Sequence, residues 1–227
     1  TWRVPDVEMP RNAQIEEAMC VCGSWLDGGD FHAFETVQSM VERRHGGETG
    51  IKWVQAYRGD TFWKAHSEGL WSQRLFETCL SRSHSLTSAR PGFNNMFPTI
   101  DEMKSLMKDP WAYAYEHNDG LRCSVIAGNG LVGDFNFAAH IAGEPKPLST
   151  NIYLPMGTLA NFFSPLSRHV EEMFVTGKAT YPIERTLLTT GLTEAAVTSR
   201  HQDGALINTP HLRISYQPTA ESTYWRT

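Results

Sequence analysis

A chain of 227 residues with 41% hydrophobic content can bury a sizeable core, and its 20 basic against 25 acidic residues, a formal charge of -5, argue against nucleic acid or anionic lipid as partners. No window approaches eighteen uninterrupted apolar residues and no basic start leads into an apolar run, so neither a membrane span nor a signal peptide is expected. The four cysteines, at positions 20, 22, 79 and 123, lack the paired spacing of a zinc site and the density of a disulfide scaffold; they read as reduced core residues, consistent with a cytoplasmic location.

The chain opens on Thr1 with no methionine. One reading makes Thr1 a nucleophile released by self-cleavage, with its own α-amino group as base. The plainer reading is a piece of something longer. Residues 14–23, QIEEAMCVCG, read as a strand on which Cys20 and Cys22 share a face. Residues 31–44 read as a helix, with Phe31, Phe34, Val37, Met40 and Val41 at three- and four-residue spacing. GGETG stops it, and IKWVQAYRG (51–59) alternates as a strand. Between 60 and 84 the second half, WSQRLFETCLSRS, is again helical in spacing, and 85–100, rich in Ser, Pro, Gly and Asn, reads as a loop.

From there the pattern changes to strands separated by short turn sequences: WAYAYEH, LRCSVIA, then LVGDFNFAAHIA, which predicts an antiparallel meander, with STNIYLP as a further strand. Residues 158–176 and 183–202 read as helices, the first ending at Thr-Gly-Lys, and HLRISYQ reads as a closing strand. The order implies one α+β domain over 1–227, a largely antiparallel open sheet with helices on one face. The other face, in a chain with seven tryptophans and eleven phenylalanines, would be covered by a partner subunit or a missing domain, which favours a homo-oligomer.

Three motifs bear on chemistry. GNGLVG (128–133) has the spacing of a dinucleotide-binding turn, but the residues after it alternate as a strand where a helix would be required, so it reads as a turn between strands. LDGGDFHAFE places Asp30, His32 and Glu35 where a glycine turn opens a helix, with His32 and Glu35 on one side, a geometry suited to proton transfer and equally to a helix cap. Strand alternation puts Asp134, Asn136 and His140 on one face, as candidate binding groups or simply a polar strand face. His84 and His201 read as surface or capping residues.

The string around His32 resembles the start of the second domain of the Gfo/Idh/MocA oxidoreductases, where G-x-H-x-x-D follows a glycine-rich turn. His32 matches the histidine and Glu35 the acid, and Asp30 stands where those enzymes usually have glycine. The segment VEEMFVTGKATYPIERTLLTTGLTEAAVTSRHQDGALI is similar to that family's closing sequence, so the resemblance brackets about 14–208. It implies a substrate-binding and assembly domain that follows a nicotinamide-binding Rossmann domain, acts on a sugar or polyol through the histidine, and depends on NAD or NADP bound mainly outside these residues. The family's glycine-rich fingerprint and its E-K-P lysine are absent here. The acidity of Asp30 and Glu35 leaves open a divalent metal and with it a sugar lyase or isomerase. A sheet-mediated assembly module without catalysis is the non-enzymatic alternative.

Overall fold

A computed structural model describes residues 2–88, 97–154 and 163–222. Thr1, the middle of the 85–100 loop and the first residues of the helix expected over 158–176 lie outside them.

The first long apolar run forms strand β2 (Ile15–Cys22), preceded by a short edge strand β1 (Trp2–Val4). Helix α1 (Gly28–Val41) follows, then β3 (Ile51–Arg58), α2 (Asp60–Ser67), α3 (Gln73–Leu80) and α4 (Ile100–Leu106). Ser72 caps α3 by accepting from the Leu75 N–H, and Thr99 and Glu102 form a reciprocal capping box on α4. Strands β4 (Trp111–His117), β5 (Arg122–Ala127), β6 (Phe135–Ile141) and β7 (Leu148–Tyr153) come next. Helices α5 (Ser164–Thr176) and α6 (Glu184–His201) and a two-residue strand β8 (Ile207–Asn208) end the regular structure. Thr-Gly-Lys does end α5, Gly177 taking the left-handed C-cap conformation.

The eight strands lie in one open sheet in the order β1-β7-β6-β2-β5-β4-β3-β8, and every neighbouring pair is antiparallel except β2 with β5. The expected α+β, largely antiparallel architecture is therefore present. The expected meander is not, because β2 is inserted between β5 and β6. The intervening GNGLVG turn instead passes over the end of β2, with the Gly128 N–H donating to the Cys22 carbonyl and the Gly23 N–H to that of Asp134. A Cβ on Gly23 would lie 2.7 Å from Gly133 Cα, so this crossing needs glycine where two backbones meet. The closing strand is also different: HLRISYQ forms a 3-10 turn at Pro210–Leu212 and a single bridge from Tyr216 to Glu48.

Helices cover both faces of the sheet, where one was expected. Period-two alternation along β2 sends Ala18, Cys20 and Cys22 into a core with Phe34, Val37 and Met40 of α1 and Leu188, Leu192 and Ala196 of α6. Met19 and Val21 point the other way, into Phe62, Trp71, Leu75, Phe76 and Met103 from α2, α3, α4 and the turn between. All four cysteines are buried and free. The sequence pattern missed α2 and α4, short helices of 8 and 7 residues, and so left that face without a cover. Exposed apolar surface lies instead on α5, where Leu166, Phe174 and Val175 are open to solvent and only Pro165 is buried.

Candidate functional site

The C-terminal ends of the parallel pair β2 and β5, the start of β6 and the start of α1 meet at one edge of the sheet, since Cys22 is in register with both Ala127 and Phe135. Ligand sites in sheets with parallel strands favour the carboxyl ends of those strands. Here the β2–α1 turn is fixed by Asn129 from the GNG turn, whose amide accepts from the Ser24 N–H (2.9 Å) and donates to the Ser24 carbonyl (2.8 Å). Asn129 is a positioning residue that sequence reading passed over, although an Asn between two glycines marks a turn able to offer both amide functions.

Asp30 sits in the first turn of α1 and is fully buried. Its Oδ1 accepts from Ser24 Oγ (2.8 Å) and Trp111 Nε1 (3.0 Å), and its Oδ2 from Tyr113 Oη (2.8 Å). Burial, with the Asp30 charge next in importance, raises the Tyr113 phenol's pKa, so the phenol stays a donor. The Arg200 guanidinium lies over the Trp111 ring at 4.5 Å. The carboxylate thus ties the turn, α1 and β4 together from inside.

His32 lies on the opposite, outer side of the same turn and is exposed. Three rings stand edge-on to its imidazole: Phe31 at 5.8 Å, Trp25 at 6.2 Å and Phe135 at 6.3 Å between centroids. Glu35, one turn along, accepts from Thr189 Oγ1 of α6. Burial raises its pKa, against the opposing effects of the Thr189 hydroxyl and Arg185. The concavity nearest this turn is not lined by His32. An open groove of about 350 Å³ runs between α1 and α6, lined by Asp27, Phe31, Thr190, Thr193, Glu194, Val197 and Thr198. Phe31 belongs to its wall and His32 does not.

Asp134 and Asn136 do come together, and their bonding is internal. Asp134 accepts from Ser83 Oγ (2.7 Å), the His84 N–H (2.7 Å), Asn136 Nδ2 (2.7 Å) and Asn151 Nδ2 (2.9 Å). Four donors fill the capacity of a carboxylate. His140 is at the other end of β6, opposite Glu17, about 20 Å along the strand at ~3.3 Å per residue. His84 stands 5.9 Å from the Tyr153 ring, on the same edge as Asp134.

The proposed acidic metal cluster does not assemble. Asp30 points inward, His32 outward and Glu35 toward α6, and no group of three His, Cys, Asp or Glu side chains able to hold an ion occurs among the described residues. No helix among those residues is long and apolar enough to cross a membrane.

No family model matches the sequence, and no curated protein matches it. Among solved structures, the chain is similar to an inositol dehydrogenase homolog from Azotobacter vinelandii complexed with NADH and myo-inositol. The identity is 13% and the TM-score 0.38, over 87% of this chain and 57% of that one. The chain thus spans little more than half of that protein, and a likeness of this size carries no assignment by itself.

Proposed function

We propose that this chain is the substrate-binding and assembly domain of a Gfo/Idh/MocA-like oxidoreductase, acting on a sugar or polyol with a nicotinamide cofactor held mainly by a Rossmann domain or subunit outside these residues. The observation that carries the reading is the His32 imidazole: exposed, on the first turns of α1, at the carboxyl ends of β2 and β5, and walled by aromatic rings. Such rings offer apolar faces to the C–H groups of a polyol, while the imidazole offers a proton acceptor to one hydroxyl. In oxidation, His32 would take the hydroxyl proton as the carbon-bound hydrogen leaves as hydride; the nicotinamide, when bound, supplies the acceptor for that hydride. Asp30 and Asn129 then act as positioning residues, and Glu35, which accepts from Thr189, ties this turn of α1 to α6.

The open side of His32 suits completion by a second body, and the apolar side chains of α5 offer surface for one. Assembly through the sheet face is disfavoured by the helices already on it. The divalent-metal lyase or isomerase reading lacks converging ligands, and the Thr1 hydrolase reading concerns a residue outside those described. The test is nicotinamide reduction by a panel of polyols with the natural parent polypeptide. His32→Ala should lower kcat/KM by about 10²–10⁴. Unchanged turnover in that variant would remove the proposal.

A further inference from the structure

Trp25 leaves 60% of its surface open, yet it is held in place. A Cβ on Gly28 would come 2.8 Å from its Nε1, and one on Gly29 would come 3.1 Å from its Cδ2, so the indole lies directly on the backbone of those two glycines. With no side chain on either glycine, the first turn of α1 leaves a floor flat enough for the ring. The indole N–H of Trp71 donates to His66 and that of Trp111 to Asp30, while the N–H of Trp25, like those of Trp2, Trp53 and Trp63, has no protein partner among the described residues; Trp25 differs in lying beside His32. The ring meets the His32 imidazole at an interplanar angle of 67°. A fixed, open aromatic face with a free donor thus adjoins a proton acceptor.

We infer that Trp25 is a specificity-determining residue: its face packs against the C–H face of a cyclic polyol, its N–H donates to one hydroxyl, and a neighbouring hydroxyl is thereby set toward His32. This rests on the proposed role of His32. The alternative use of such a ring, with Leu26 54% exposed beside it, is association between copies of the chain.

The experiment is a titration of the isotopically labelled natural parent polypeptide with myo-inositol, followed by NMR at the Trp25 indole N–H, assigned by its loss in Trp25→Phe, and separately at the His32 ring. A saturable shift of the indole signal is expected. Trp25→Ala should weaken binding about tenfold, and Trp25→Phe, which keeps an aromatic face, should weaken it less. Binding at the His32 ring that is undiminished in Trp25→Ala overturns the role of Trp25 and leaves that of His32 standing. No response at either ring in the unsubstituted parent overturns both. An indole signal that moves with protein concentration and not with polyol assigns the ring to self-association and overturns the inference.

Discussion

Replacing Asp30 separates a buried structural carboxylate from a catalytic one. In Asp30→Ala the donors Ser24 Oγ, Trp111 Nε1 and Tyr113 Oη, now at 2.8–3.0 Å from carboxylate oxygens, all lose their acceptor in a fully buried place. Each orphaned donor costs about 1–3 kcal/mol, and since they share one small space we expect about 3–6 kcal/mol in total. That is a large share of the ~5–15 kcal/mol that holds a protein of this kind together. Asp30→Asn keeps one oxygen for Ser24 and Trp111, and its amide can donate to a reoriented Tyr113 hydroxyl, so its cost should stay below about 2 kcal/mol. Urea unfolding followed by circular dichroism measures both. A catalytic carboxylate would show the reverse pattern, with Asn abolishing turnover and Ala leaving stability alone. A cost below about 1 kcal/mol for Asp30→Ala would refute the clamp.

The fully buried Glu48 accepts from Gln38, Arg44 and the Thr49 and Gly50 N–H groups, with His117 Nδ1 at 2.9 Å. Burial alone would raise its pKa, but His117 and Arg44 outweigh burial and hold it well below the usual carboxylate range. Its contribution is therefore complete above that range and lost as pH falls through the depressed value. Glu48→Gln should cost about 3–5 kcal/mol at neutral pH and flatten the acid limb of the urea midpoint against pH. Glu35 has the opposite sign: with its pKa raised by burial, its stabilisation is full below the carboxylate range and is lost as pH rises. Glu35→Gln, which preserves an acceptor for Thr189, should be more stable than the parent at neutral pH by no more than about 1 kcal/mol and equal to it in acid, as judged by thermal melts.

The long elements were readable because their periodicity reports directly which face is buried. Phe34, Val37 and Met40 on α1 and the alternation of Cys20 and Cys22 with Met19 and Val21 on β2 are examples. What period cannot report is which strand lies beside which. The sheet order depends on a crossing made possible by the Gly23–Gly133 approach, and local turn sequences gave a meander instead. At the site, spacing placed His32 and Glu35 one helical turn apart. It could not foresee that Asp30, two residues from His32, turns inward to Trp111 and Tyr113, because those donors arrive from a strand eighty residues away in sequence. The same limit applies to Asp134 and Asn136, whose partners Ser83, His84 and Asn151 come from separate segments.

The most direct measurement is the response of the His32 ring carbon and nitrogen resonances to a saturating cyclic polyol, with His140, at the far end of β6, as internal control. If this imidazole is the proton acceptor, its signals move saturably while those of His140 stay fixed. Signals of His32 that stay unchanged, or that shift in parallel with those of His140, would contradict the assignment.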